Sequence, residues 1–392
     1  MLVKEVKVNC SGCTACLNIC PQECIEMIAD EEGFFYPQID EKKCTNCNLC
    51  RKICPFEEKG YNIEKNLEIP KVYAIKHKND EIRMASSSGG VFTSISDFVL
   101  KENGVIIGAA FDNNFKVCHQ EAFDKKDRDR FRGSKYVQSD LGDIFVKVKK
   151  HLDDKMVLFS GTPCQVAGLK SFLKVEYDNL ITCDMVCHGV PSPKVFKDYI
   201  SFMENTLSDK TTDINFRDKI TGWHKFSFTH TYENRKISKV FNRNPFCFMF
   251  SNHLIIRPSC HNCVFTNFTR PSDITIADYW GIGKFKPDFD DNKGVSLAIL
   301  NTNKGELLFE KIRSDFDVQL SNLADCIQPN LKEPTKPSPK RSMFWNDYYN
   351  RGFEYVAKKY AGYGFINNIK RIIIILLIKI GVFPFVKSLL RR

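Results

Sequence analysis

The chain has 392 residues, with 57 Lys+Arg against 47 Asp+Glu for a net charge of +10, and 43% apolar and 27% charged residues. These proportions are those of a globular protein, and they exclude a disordered tail, a collagen, a coiled coil and a many-span membrane protein. The length suits two or three domains with a large core.

The cysteines are the informative count: 17 in all, nine of them within the first 54 residues. An odd total fits a full disulfide set poorly, and the opening MLVKEVKVNC carries no apolar leader. Both features predict reduced thiols in a cytoplasm. Lysines and arginines are interleaved with acids and form no polybasic block. No nucleic-acid signature accompanies them, so nucleic acid is not an expected partner.

In chain order, residues 1–60 read as a small domain with an internal repeat. Cys10, Cys13, Cys16 and Cys20-Pro21 recur 34 residues later as Cys44, Cys47, Cys50 and Cys54-Pro55. This is the spacing of bacterial ferredoxins. Three thiolates two residues apart wrap one [4Fe–4S] cubane, and the fourth reaches the other cubane. The reading therefore joins Cys10, Cys13, Cys16 and Cys54 at one cluster, and Cys44, Cys47, Cys50 and Cys20 at the second. A zinc module is the competing reading, but zinc has no use for two identical four-cysteine runs with a terminal proline. Cys24 reads as a buried small hydrophobe.

Residues 58–70 are polar and end in Pro70, a linker. The next stretch, 70–152, reads as the first half of an α/β body. It holds strands at 71–77 and 105–111, and a helix from 91 that Gly104 stops. A second helix is expected from about 141 to 152, capped by Ser139 or Asp140. The second half, 153–328, alternates a strand at 156–160, a turn at 161–164, a helix at 165–173, a strand at 181–187 and a helix begun by Pro193. Residues 226–233 read as a half-exposed strand, and 273–280 and 295–301 as core strands. The fold class is α/β, α+β overall, with a largely parallel sheet.

The proline-rich stretch 329–341 links to a tail, 342–392, expected to be helical and apolar-basic. Its segment 372–386 carries one charge, Lys379, between basic flanks at Lys370, Arg371, Lys387, Arg391 and Arg392. Two readings stand side by side: a helix docked on the body, and an interfacial anchor at the inner face of the membrane.

The body has its own cysteines. Cys164 sits at a strand-to-helix turn, where a helix N-terminus favours thiolate. Cys187 follows a strand, and Cys260 and Cys263 form a loop pair. Cys183 lies nearby, while Cys118, Cys247 and Cys326 read as core. Ligands collect at strand C-terminal ends in α/β sheets, so these residues are either a third metal site or isolated thiols. Ser86, Ser87, Ser88, Gly89 and Gly90 open a helix with small side chains, which makes either a phosphate cradle or an ordinary capped turn. No G-x-G-x-x-G occurs.

From about 70 to 301 the chain resembles the coenzyme F420 hydrogenase/dehydrogenase beta-subunit family. The resemblance rests on SSSGGVFTSIS at 86–96, GSKYVQS at 133–139, LFSGTPCQVAGLK at 158–170, DMVCHGVPSP at 184–193, FRDKITGW at 216–223 and RPSCHNCVFTNFTRPSDITIADYWGI at 257–282. It implies FAD and a third [4Fe–4S] cluster in the body, and it does not cover the chain after about 330. Under it, Ser86 to Gly90 hold flavin phosphate, with Ser134, Lys135, Tyr136 and Gln138 as further contacts. Cys164, Cys187, Cys260 and Cys263 hold the cluster, with Cys183 as a substitute ligand. Gln165 and His188 are weak catalytic candidates, and Asp278 is a polar neighbour of the cluster or substrate.

The implied function is an oxidoreductase. A redox donor, which is ferredoxin or a partner protein of the same complex, charges the clusters. FAD then passes the electrons to an organic acceptor, either the deazaflavin coenzyme or another conjugated substrate. A cubane moves single electrons and a flavin can store two. The alternatives are a non-catalytic iron–sulfur subunit of a larger redox complex and a structural zinc protein.

Overall fold

A computed structural model describes residues 7–56 and 67–364. The 372–386 segment, with its two readings, and most of the 58–70 linker lie outside the described residues. Among the described residues, no helix is long and apolar enough to cross a membrane.

The N-terminal unit is built on one antiparallel hairpin, β1 (Ile25–Ala29) with β2 (Phe35–Ile39), and two short helices, α1 (Ala15–Ile19) and α2 (Leu49–Lys52). Its sequence repeat is also a backbone repeat. The residues two after the first cysteine of each run, Gly12 and Asn46, take φ of 72° and 54°. Thr14 and Asn48, two before the third cysteine, take 60° and 59°.

The body is one eight-stranded sheet, in the order β13-β3-β12-β11-β7-β6-β4-β5. These strands are β3 (Lys71–His77), β4 (Val105–Phe111), β5 (Val117–Ala122), β6 (Val157–Ser160), β7 (Leu180–Met185), β11 (Ile274–Asp278), β12 (Ser296–Leu300) and β13 (Phe316–Ser321). The expectation of a largely parallel sheet needs correction. Only the centre, β11-β7-β6-β4, is parallel, and every flanking pair is antiparallel. Strand β3 runs against both its neighbours, β12 and β13, and β11 and β12 pair antiparallel, so the parallel run ends at β11.

Helices α3 (Asp80–Ala85), α4 (Val91–Lys101), α5 (Lys125–Asp129), α6 (Ile144–His151), α7 (Pro163–Leu173) and α8 (Pro193–Leu207) punctuate the strands. Helix α6 starts at Ile144, not Leu141, because the Asp140 carboxylate accepts from the Gly142 N–H and holds a turn there. In α4 the left-handed exit is made by Asn103, φ 54°. Gly104 is needed for another reason: a Cβ there would lie 2.5 Å from the Met156 carbonyl.

A three-stranded antiparallel sheet, β8 (Thr211–Asp218), β9 (Ser227–Tyr232) and β10 (Lys236–Val240), is inserted after α8. The expected half-exposed strand is its middle member, β9, and five of its six residues are buried. Its outer face is covered by the aromatic cluster of Phe196, Tyr199, Phe216 and Phe246. Helix α9 (Pro245–Ser251) and the long, kinked α12 (Arg341–Ala361) pack there too. Two further short helices, α10 (Ile282–Phe285) and α11 (Asn303–Ile312), complete the body.

Candidate functional site

Cysteine sets at the N-terminal unit and the sheet edge

Both N-terminal sets assemble with the expected crossing. The Cys13 thiol is buried beside Cys16, Cys10 and Cys54. Burial pushes the Cys16 thiol up to about 12, with Cys10 and Cys54 adding repulsion. Cys20, Cys44, Cys47 and Cys50 line one cavity of about 90 Å³ on the outer side of the hairpin. Cys24 is buried as expected, yet it lines the same cavity with its Sγ 3.4 Å from the Cys20 Sγ. Its position four residues past the crossing cysteine was the only sequence signal for that placement.

The body cysteines come from three segments at the C-terminal edge of the parallel strands. Cys164 lies in the first turn of α7 after β6, Cys187 lies two residues past β7, Cys260 lies within the 3-10 turn Pro258–Asn262 and Cys263 directly follows it. The four face one another. Burial raises Cys187, and Cys260, Cys164 and Cys263 raise it further. Burial likewise pushes Cys260 up to about 12 and Cys263 up to about 11, with Cys164 contributing to both. Cys183 does not join them. It is fully buried within β7, and the charges acting on its thiol among the described residues are Asp184 and Asp273. Cys247 and Cys326 are buried as expected, whereas Cys118 is only partly so.

One device recurs in all three sets. In each set the N–H two residues past one cysteine points at that cysteine's sulfur, at 3.4 Å each time: Gly12 to Cys10, Asn46 to Cys44 and Gly189 to Cys187. Each donor has positive φ, 72°, 54° and 116°. This loop leaves the sulfur free on one side and stabilises negative charge on it.

No three or more His, Cys, Asp or Glu among the described residues converge on a single metal ion. A cubane asks for a different arrangement, with four thiolates each meeting its own iron at the corners of a larger volume. The cysteine-lined cavity and the convergence of the body four fit that demand.

The serine–glycine loop and its surroundings

The 86–90 loop is tightly built into the sheet. Ser88 Oγ donates to the Val295 carbonyl at 2.7 Å, and Gly89 N–H donates to Ser296 Oγ at 2.8 Å. A Cβ on Gly89 would lie 2.2 Å from the Ile75 carbonyl, so only glycine fits. Gly90, φ 93°, starts α4. Ser86 Oγ donates to the Ile82 carbonyl, while Ser87 Oγ receives the Ser134 N–H at 2.9 Å.

Two other candidates are engaged by protein groups. The Lys135 ammonium donates to the carbonyls of Arg130 and Arg132, and Gln138 bonds Ser11 and Arg257. A phosphate would therefore meet the first turn of α4, where neither Val91 nor Phe92 donates its N–H to a protein acceptor among the described residues. Ser86 and Ser87 stand at its rim.

Beside Ser87 is a cluster that joins two sequence candidates, Tyr136 and Asp278, to Arg217, Trp223 and Trp280, which the sequence reading did not single out. The buried Arg217 guanidinium grips Asp278 at 2.7 and 3.0 Å, donates to Tyr136 Oη at 3.2 Å and lies 3.8 Å over the Phe226 ring. Trp223 Nε1 donates to the same carboxylate at 2.7 Å, and the ring stacks on Trp280 at 5.0 Å. Arg217 Nε is buried with no partner among the described residues. This orphan donor and the partly exposed aromatic face fit a flat, polar-edged cofactor. The sequence signals were the quoted segments 133–139, 216–223 and 257–282, which hold its members.

The two weak catalytic candidates occupy structural posts. Gln165 Oε1 accepts the Thr162 N–H at 2.8 Å and so caps α7. His188 packs on Phe250 and His253 at the surface, and its carbonyl accepts from Thr335.

Relation to known proteins

The paired cysteine runs of residues 9–57 define an iron–sulfur electron-transfer domain. Residues 154–325 match the family described as the C terminus of the coenzyme F420 hydrogenase/dehydrogenase beta subunit, and residues 9–57 match a 4Fe-4S dicluster domain. The match to that family covers residues 154–325, with the dicluster domain ahead of it at 9–57. Among solved structures it is similar to a chain of the F420-reducing [NiFe] hydrogenase complex from Methanosarcina barkeri. The two are 16% identical over 75% of this chain and 91% of that one, with a TM-score of 0.45. No curated protein matches it significantly.

Proposed function

We propose that the chain is an iron–sulfur flavoprotein oxidoreductase with three [4Fe–4S] clusters and FAD. Cys10, Cys13, Cys16 and Cys54 hold the first cluster, Cys20, Cys44, Cys47 and Cys50 the second, and Cys164, Cys187, Cys260 and Cys263 the third. The observation that carries this reading is the repeated N–H···Sγ loop, which appears at Cys187 as it does at Cys10 and Cys44. The first turn of α4, with Ser86 and Ser87, holds flavin phosphate, and Arg217, Tyr136 and the Trp223–Trp280 pair bound the ring site. FAD supplies the exchange between single electrons and a hydride equivalent.

The protein's own part is electrostatic and steric. The helix N-terminus favours negative charge at that edge of the sheet, and Arg217, its charge balanced by Asp278, offers its unpaired Nε as a donor there. Trp223 fixes the Asp278 carboxylate so that Arg217 keeps its orientation. The acceptor is a conjugated organic molecule, of which the deazaflavin coenzyme is one, and the donor is ferredoxin or a partner subunit.

The prior engagement of Ser88, Gly89, Lys135 and Gln138 favours a second reading, a flavin-free electron carrier within a larger complex. Anaerobic purification with iron, sulfide and released-flavin analysis decides between them. The expected result is about twelve irons per chain, four per cubane, with FAD released on denaturation. Replacing Cys187 by Ser should remove about four irons and leave about eight. About eight irons in the unaltered chain ends the three-cluster reading, and full iron without flavin establishes the carrier.

A further inference from the structure

One fully buried cation lies where the N-terminal unit meets the body cysteines. Arg257 is 0% exposed. Its Nε donates to the Cys10 carbonyl at 2.8 Å, its Nη2 to the Phe35 carbonyl at 2.9 Å and its Nη1 to Gln138 Oε1 at 2.9 Å. Gln138 completes the clamp by donating to the Ser11 carbonyl at 3.3 Å. The Arg257 backbone belongs to the other side. Its N–H donates to the Val190 carbonyl and its carbonyl accepts from the Cys260 N–H, both at 3.0 Å. The hydrogen-bond acceptors of the guanidinium are amide oxygens, not carboxylates, so these bonds leave its positive charge unneutralised. Its field reaches the thiols of Cys164 and Cys260.

A second contact lies beside it. Gly168 of α7 faces Cys13 so closely that a Cβ there would sit 2.9 Å from the Cys13 Sγ. The Ser11 side chain rests against the Cys164 thiol. The Cys20 set has the opposite surroundings, since Thr45, Asn46, Cys47 and Asn48 of its cavity wall are all exposed.

We infer that Arg257 is the positioning residue that couples the Cys10, Cys13, Cys16 and Cys54 set to the Cys164, Cys187, Cys260 and Cys263 set, making the first N-terminal set the inner station and the Cys20, Cys44, Cys47 and Cys50 set the outer one that meets a one-electron donor protein. This rests on the cluster assignments proposed above. A buried cation between two sites favours an added electron on either one and loses little to solvent screening. The transfer balances simply: the inner set gives up one electron, the body set gains it, and no bond or proton moves.

The test is a redox titration of the anaerobically reconstituted full chain followed by electron paramagnetic resonance. Cys47→Ser and Cys260→Ser mark the outer and body signals. In Arg257→Gln, the inner and body potentials should both fall while the outer one stays, and Arg257→Lys, which keeps the charge, should return them toward the original values. A shift of the outer signal alone, or an equal shift of all three, overturns the assignment. Should Arg257→Gln not fold, Gly168→Ala serves instead. It crowds Cys13 and should move the inner signal but not the outer one, and the reverse result is equally decisive against the proposal. An unaltered chain with only about eight irons refutes the three-cluster reading instead, so the two failures are distinguishable.

Discussion

The Lys219 ammonium donates to three main-chain carbonyls, those of Arg83, Ser88 and Lys293, at 2.7, 2.8 and 2.7 Å. It therefore pins the serine–glycine loop from below. Lys219→Met keeps the length and removes the donors, leaving three inward-facing carbonyls unpaired. The expected loss is roughly 3 kcal/mol of stability, measured by denaturant unfolding, together with weaker flavin retention through the loosened loop. Unchanged retention at the same stability loss would confine Lys219 to the fold. Residues of this kind were not legible in the sequence. Lys219, Arg217 and Arg257 look like ordinary surface cations until the sheet brings carbonyls from distant segments around them. The cysteines were legible because their chemistry is local: each N-terminal run places three ligands within seven residues.

At the scale of elements, the strands at 71–77, 105–111 and 157–160 were legible from their continuous apolar runs, and all are largely buried. The edge strands β5, β8, β10 and β13 were not, since half-exposed strands mix polar and apolar residues without a clean alternation. Strand direction was not legible either, because it depends on which neighbours pair. Helix α7 shows how an element can impersonate a site. Gln165 stands beside a cysteine in a family motif, yet its Oε1 closes the helix start on the Thr162 N–H. Gln165→Ala should cost about 1 kcal/mol, the usual worth of a cap, read as a lower unfolding midpoint. A collapse of electron transfer to a dye acceptor at unchanged stability would return Gln165 to the chemistry.

At the scale of the whole molecule, acid sensitivity is built into the core. His119 lies in the sheet edge, bonded to Ser139 Oγ at 2.7 Å and to the Ser160 carbonyl at 3.1 Å. His230 lies under the inserted sheet, bonded to Tyr232 Oη at 2.8 Å and Thr211 Oγ1 at 2.9 Å. Burial pushes both down to about 4. An unfolded chain holds its histidines near about 6.5. Below that pH the unfolded state takes up protons that the folded state refuses, so stability falls as the pH falls and levels off once the folded rings titrate near 4. The penalty is absent above about 6.5 and grows by about 1.4 kcal/mol per pH unit for each such ring. His230→Gln keeps hydrogen-bonding atoms and removes one titration. Between pH 7 and pH 5 the unaltered chain should therefore lose about 2 kcal/mol more than the variant. Paired denaturant unfolding curves at the two values measure this difference directly, and the comparison cancels any acid loss of iron common to both chains. Equal losses would mean that the His230 ring takes its proton inside the fold, with Tyr199 and Tyr232 turning to accept from it.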